Sequence, residues 1–130
     1  MESNPETAVR LHGEGCNCAQ AVLGAICEKY GLDRAVAFRL AGGFGGGMRC
    51  GEVCGAASGA VLAIGLRYGA SDPGDKAQKE ACGKKTAEFM AAFRKRHGSC
   101  VCRELLKASG KKICDVLIRD AAELLDGLGL

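Results

Sequence analysis

Hydrophobic residues recur at helical spacing along most of the chain, in stretches that end at glycine. Val22, Leu23 and Ile26 keep this spacing in a segment predicted to be helical over about residues 17–30, with Gly31 as its C-terminal cap. A sustained alternation of β-branched and polar residues, which would indicate a strand, does not occur. The pattern predicts an all-α fold: one domain over residues 1–130, a bundle of about six to seven helices.

One predicted helix, from about Glu52 or Val53 to Tyr68, is apolar on almost every side and rich in small residues. A helix that is hydrophobic all round is usually buried, so we expect a central Gly/Ala-rich helix around which the others pack. Gly55 and Gly59 lie four residues apart on it, a spacing that lets another backbone come close. A larger residue at position 59 is therefore expected to overpack the contact.

Capping residues predict where other helices begin. Asn4 is predicted to cap the first helix, with Pro5 at its first helical position. Asp33 is predicted to cap a short third helix, and Gly83 is expected to interrupt or strain a long polar helix. The predicted ranges are about residues 4–13, 33–40, 73–97, 99–107 and 111 onward.

Cysteine is the most unusual part of the composition, with nine in 130 residues. The first residues show neither a positive region nor an apolar stretch, so we predict no secretory signal and a cytoplasmic location. Hydrophobic residues make up 48% of the chain, enough for a core that needs no disulfides. In a reducing compartment, clustered cysteines more often bind metal or act catalytically than form structural disulfides.

Charge, aromatic content and the length of apolar runs argue against two kinds of partner, nucleic acid and membrane. The net charge of +3 is modest, and four Phe, two Tyr and no Trp leave little for base stacking, so we predict no nucleic-acid partner. No apolar run reaches the ~20 residues that span a bilayer, so no membrane insertion is expected. The expected partner is a redox protein of unknown identity, and a homodimer stays open.

Four cysteines lie near predicted helix starts. They are Cys18, Cys54, Cys102 and Cys114. A helix N-terminus stabilises negative charge, so a thiolate there is expected to have a lowered pKa. We expect this above all for Cys54, which precedes Gly55 at the head of the central helix. The alternative is that each of these cysteines is a small core residue.

The other cysteines give weaker signals. Cys27 lies on an apolar face and Cys82 lies in the polar helix, and for both we favour a structural role. The close spacings match neither zinc-finger knuckles nor the Cys-x-x-Cys of thioredoxin-like proteins, so they predict a thiolate-rich site without naming its occupant. The close pairs are Cys16/Cys18, Cys50/Cys54 and Cys100/Cys102.

Two further features carry little chemistry in the sequence. The glycine-rich loop over residues 42–47 lacks both the dinucleotide-binding spacing, because position 48 is Met48, and the Lys-Ser or Lys-Thr of a P-loop. It is expected to be a tight turn between packed helices. His12 and His97 are isolated in the sequence, and we expect them at the surface or at helix caps.

These motifs together resemble the redox-active protein family named for its C-GCAxxG-C-C cysteine pattern. The most specific match is the segment over residues 54–60, and the likeness extends over about residues 8–125. By position, the family's four cysteines correspond to the four at helix starts, and this chain adds Cys16, Cys50 and Cys100. The resemblance implies a small helical protein with a cysteine-based redox role. The other matching pieces are residues 15–22, 44–48, 98–106 and Cys114.

A related domain occurs in split-Soret-type cytochromes, where an iron–sulfur cluster is associated with it. The haem of those proteins is not expected here because the chain has no Cys-x-x-Cys-His. Our leading interpretation is an electron-transfer protein whose four helix-start cysteines ligate an iron–sulfur cluster, since four thiolates satisfy such a centre. The predicted ligands are Cys18, Cys54, Cys102 and Cys114.

Two other functions stay open at this point. The first is a thiol–disulfide oxidoreductase without a cofactor, in which Cys54 attacks and a neighbour such as Cys50 resolves the mixed disulfide. The second is a protein with a structural zinc site. An anaerobic spectrum with metal analysis distinguishes the three.

Overall fold

Seven α-helices make up most of residues 2–130, the part of the chain that the computed structural model describes. Over these residues there is no β-strand, and an isolated antiparallel bridge joins Val53 to Val101. The all-α prediction is confirmed, and none of the described helices is both long and apolar enough to cross a membrane. The helices are α1 (Asn4–Gly13), α2 (Cys18–Ile26), α3 (Arg34–Leu40), α4 (Gly55–Tyr68), α5 (Lys76–His97), α6 (Cys102–Ser109) and α7 (Ile113–Gly127).

Side-chain caps fix the first two helix starts. Ser3, rather than Asn4, caps α1, because its hydroxyl accepts a hydrogen bond from the Glu6 N–H at 3.2 Å. Asn17 caps α2 in a reciprocal capping box with Gln20, in which each side chain accepts from the other residue's backbone N–H at 2.8 Å. The start of α2 is therefore held firmly in place.

Three other helix boundaries differ from the prediction or refine it. The last residues of the predicted second helix form a separate 3₁₀-helix, Cys27–Tyr30, which ends at Gly31 as expected. The polar helix α5 begins at Lys76, because Asp75 accepts a hydrogen bond from the Gln78 N–H. It continues without interruption through Gly83, so the expected break there is wrong.

The centre of the bundle is a pair of helices rather than one. Eight of the 14 residues of α4 are buried, but so are six of the nine residues of α2, so the prediction of a single central helix is corrected. The two helices meet at Gly59, where a Cβ atom would lie 2.6 Å from the backbone oxygen of Ala19. Only glycine allows this approach. The core is completed by large buried side chains from α5 and α7: Phe89, Phe93, Leu117 and Ile118.

The glycine-rich loop leads into a tight turn, Gly47–Gly51, that packs against the start of α6. A Cβ atom at Gly47 would lie 2.8 Å from the Cβ of Cys102, and its φ of 63° also favours glycine. Beside this turn, the Cys54 N–H donates to the Cys100 carbonyl at 2.7 Å and the Cys102 N–H donates to the Glu52 carbonyl at 2.6 Å. These bonds tie the start of α4 to the start of α6.

Candidate functional site

One cavity of about 240 Å³ lies where α2, α4, α6 and α7 begin. Its lining includes one cysteine from each of these helix starts: the first residue of α2, the residue before α4, the first residue of α6 and the second residue of α7. The structure thus brings together the four cysteines that the sequence singled out, while their role as ligands stays a prediction. They are Cys18, Cys54, Cys102 and Cys114.

The rest of the lining is mostly apolar or has no side chain. Leu105, Leu106 and Leu117 contribute aliphatic surface, and Gly46 and Gly55 contribute backbone. A Cβ atom at Gly55 would lie 3.1 Å from the Cβ of Cys18, so glycine at that position lets the first turn of α4 approach the first turn of α2. The thiols therefore face a space in which charge is poorly solvated.

Burial dominates the acidity of Cys54. The residue is only 3% exposed, and this burial raises the pKa of its thiol to about 11, although hydrogen bonds from the backbone of Ala56 and Ala57 act to lower it. Charges on Cys102 and Cys114 would raise it further. The predicted low pKa is wrong for the protein as it stands, because desolvation outweighs the favourable helix start.

Neighbouring sulfurs also affect the acidity of Cys18 and Cys102. Burial raises the pKa of the Cys18 thiol well above its usual value, and negative charge on Cys114 and Cys54 raises it further. Burial and then the charge of Cys114 also raise the pKa of Cys102. Four thiolates together in this cavity would repel one another, so they require positive charge from a bound group.

The cavity thiols do not form a compact group of ligands around a single metal ion. Across residues 2–130, no three His, Cys, Asp or Glu side chains are grouped closely enough to hold one ion. The arrangement is therefore a set of thiols around a shared space.

Two lining residues were not predicted to belong to the site. His12 lines the cavity, and its Nδ1 lies 2.7 Å from Oδ1 of Asp115, the residue after Cys114. Lys111 also lines it, one turn before Cys114 at the start of α7. The three-residue spacing from Lys111 to Cys114 was visible in the sequence, but the position of His12 depends on the packing of α1 against α7.

The second histidine, His97, lies elsewhere: it is the last residue of α5, next to the cap Gly98, so only the expected surface position is corrected. The side chain of His97 is 9% exposed rather than at the surface, and its Nε2 lies 3.0 Å from Oδ2 of Asp120. The two groups are not aligned for a hydrogen bond. Burial lowers the pKa of His97, although Asp120 acts in the opposite direction.

The added cysteines do not join the cavity. Cys50 is exposed in the tight turn, and its Sγ donates to the Gly47 carbonyl at 3.5 Å. It does not line the cavity that contains Cys54, so the two proposed partners in thiol exchange are not brought together there. Cys16 and Cys100 are half-buried and also lie outside the lining.

Two cysteines have the surroundings of structural residues. Cys27 is fully buried in the core, and its Sγ donates to the Gly24 carbonyl at 3.7 Å. Cys82 is half-buried on α5 and packs against the core. All nine cysteines are free thiols, so no disulfide supports the fold.

The fold and the cavity define a small helical protein with an internal thiol site. The chain belongs to the C_GCAxxG_C_C family, whose model is described as "Putative redox-active protein (C_GCAxxG_C_C)" and matches residues 16–128. The matched range contains all four cavity cysteines, and the family resemblance found in the sequence is confirmed. Neither a curated protein nor a solved structure matches the chain.

Proposed function

We propose that this protein transfers electrons by means of an iron–sulfur cluster held in the thiol cavity. The observation that carries the proposal is the convergence of four cysteines from four separate helix starts on one space. Four thiolates are the complete ligand set of the common two-iron and four-iron clusters. The ligands would be Cys18, Cys54, Cys102 and Cys114.

The chemistry of the donor set fits such a group. All four donors are sulfur, and no carboxylate lines the cavity. Burial and repulsion from neighbouring sulfurs raise the pKa of Cys18 and Cys54, so these thiols stay protonated on their own and become thiolates when a cation compensates their charge. A cluster would supply that positive charge from its iron atoms, together with a one-electron redox couple.

The protein's own contribution is electrostatic and steric. The backbone of Ala56 and Ala57 hydrogen-bonds to the Cys54 sulfur, which stabilises negative charge on it. Leu105 and Leu106 of α6 and Leu117 of α7 give the cavity an apolar lining that disfavours water. Hydrogen bonds to sulfur and exclusion of solvent are the two features by which proteins adjust the potential of a thiolate-bound cluster.

A second candidate is thiol–disulfide exchange within the same cavity. The observation that favours it is the proximity of Cys18 and Cys114, which line the same cavity closely enough for charge on Cys114 to raise the pKa of the Cys18 thiol. Two neighbouring thiols can form a disulfide by losing two electrons and two protons to an oxidised partner. In this case the pair would be Cys18 and Cys114 rather than Cys54 and Cys50, because Cys50 lies outside the cavity.

Anaerobic purification of the full chain tests these functions. We expect a brown protein that absorbs visible light and contains iron and labile sulfide in similar amounts. Its visible absorption should change reversibly on reduction and reoxidation. A colourless protein whose cavity thiols form a reversible disulfide would instead support thiol exchange. Stoichiometric zinc without iron would contradict both proposals and indicate a structural metal site.

A further inference from the structure

The fixed charge that lines the thiol cavity is positive only. Of its lining residues, Lys111 alone carries a fixed charge, and none is Asp or Glu. Lys111 is exposed, and no carboxylate within residues 2–130 forms a salt bridge with it. Its positive charge is therefore available to whatever enters the cavity.

The local structure keeps Lys111 beside the thiols. The Cys114 N–H donates to the Lys111 carbonyl at 3.1 Å, so this turn holds the lysine one turn from a cavity cysteine. The nearest acidic neighbour along the chain, Asp115, is already paired with His12 at 2.7 Å. The partial positive charges of four helix starts act in the same direction as the lysine.

We propose that the cavity selects small sulfur-containing anions, such as disulfides that carry carboxylates, and that Lys111 sets this selectivity. The inference rests on the second candidate function, in which the cavity thiols are free to exchange, and it does not depend on the cluster. A positive charge at the entrance raises the local concentration of anions and stabilises their approach to the sulfurs. Neutral disulfides of similar size gain nothing from it.

The reaction that follows entry is an exchange between thiol and disulfide. A cavity thiolate attacks one sulfur of the disulfide, a mixed disulfide forms, and one half leaves as a thiolate. A second cavity thiol then displaces the other half, which also leaves as a thiolate. The small molecule gains two electrons, the protein gains one disulfide, and the two thiol protons pass to solvent.

Lys111 has a matched control in its neighbour. Lys112 carries the same charge and is also exposed, but it does not line the cavity. The variants Lys111→Gln and Lys112→Gln therefore change the net charge equally and differ in position relative to the thiols. Both sites are exposed, and equal melting temperatures would show that neither substitution disturbs the fold.

The experiment uses the reduced full-length chain, free of metal, and two probes: dithiobis(nitrobenzoate), which carries two carboxylates, and dithiodipyridine, which is uncharged. Reaction at each cysteine is followed by peptide mass spectrometry at low ionic strength. We expect Lys111→Gln to lower the ratio of anionic to neutral rates at the cavity cysteines roughly fivefold. Lys112→Gln should change it much less, and high salt should remove the difference.

Cys50 provides an internal control because it is exposed and outside the cavity. Its rate ratio should be the same in the parent and in Lys111→Gln. An unchanged ratio at the cavity cysteines, or an equal fall in both lysine variants, would overturn the proposal. Iron analysis is independent of this measurement. A protein without iron in which Lys111→Gln still lowers the rate ratio would refute the cluster and support the proposed selectivity.

Discussion

Two buried cysteines, Cys54 and Cys27, differ in their surroundings although both are almost inaccessible to solvent. Cys54 is 3% exposed and Cys27 is 0% exposed, and burial is the main reason that the pKa of each thiol is raised. Cys54 precedes a helix and shares a cavity with three other cysteines. Cys27 follows a helix and donates to the Gly24 carbonyl in that helix.

The comparison teaches that burial alone does not identify a functional thiol. A buried cysteine with an internal carbonyl acceptor is stable as a neutral thiol and packs as a small hydrophobic residue. A buried cysteine at a helix start, next to other sulfurs, also stays a neutral thiol on its own, but it is well placed to become a thiolate when a cation is present. The following predictions test that distinction, from the largest expected effect to the smallest.

The first prediction concerns loss of the bound group. We expect Cys54→Ser to lower the iron content of anaerobically purified protein by roughly tenfold or more, since even the loss of a ligand's hydrogen-bond partner weakens metal binding strongly. Cys27→Ser should retain iron, because the hydroxyl can make the same bond to Gly24. Equal iron in both variants, with normal melting curves, would remove Cys54 from the site.

The second prediction concerns thiol reactivity with pH. In the reduced, metal-free protein, we expect Cys54 to react with iodoacetamide about a hundredfold more slowly at pH 8.5 than a free thiol with its ordinary pKa of about 8.5. The raised pKa keeps the folded thiol protonated, so its rate should increase roughly tenfold per pH unit below pH 11. Peptide mass spectrometry across a pH series measures this.

Cys27 is the comparison residue for this reactivity test. It lies in the closed core rather than in a cavity, so its alkylation should require opening of the fold and should follow unfolding. Half-maximal reaction of Cys54 below pH 8.5 would show that the helix start, not burial, controls its acidity.

The third prediction concerns the contact that holds two of the cavity cysteines together. Gly59→Ala should destabilise the fold by roughly 1–3 kcal/mol, because the new methyl group would meet the backbone of Ala19 and push α2, with Cys18, away from α4. Gly65→Ala is the matched control on the same helix, where a Cβ atom would meet nothing within 4 Å. It should be neutral or stabilising by about 0.5–1 kcal/mol. Denaturant unfolding compares the two, and equal stabilities would contradict the close packing.

The smallest effect is expected at a site outside the cavity. The lowered pKa of His97 means that the unfolded chain binds this proton more readily, so its contribution to stability is present above pH 6.5 and is lost as the pH falls. His97→Gln should therefore weaken the loss of stability on acidification below pH 6.5, by less than about 1 kcal/mol. The iron content should not change, and a large fall would connect this histidine to the thiol site.

Local signals in the sequence predicted much of the fold and part of the site. Glycines, capping residues and apolar spacing located the helices to within a few residues, because these features act over one or two turns. The same local reasoning selected the four cysteines, since a helix start is a local property. The shared central position of α2 was missed, because it depends on how closely Gly59 lets two backbones approach.

The acidity of the site could not be predicted in the same way. The helix start at Cys54 is visible in the sequence, but the desolvation that raises its pKa comes from elements distant in the chain. His12 reaches the cavity only through the packing of α1 against α7. Burial and long-range proximity are properties of the assembled core, so they become visible in the structure alone.

The distribution of the cavity cysteines along the chain has a consequence for assembly of the site. Cys18 belongs to α2 and Cys114 to α7, so the cavity is incomplete until helices far apart in the chain have packed together. Before α7 packs, the other three thiols lack both Cys114 and Leu117, the one leucine that α7 contributes to the lining. Any group that uses all four thiols can therefore be held only after α7 has packed against the other helices, and occupancy of the cavity then marks a fully packed bundle.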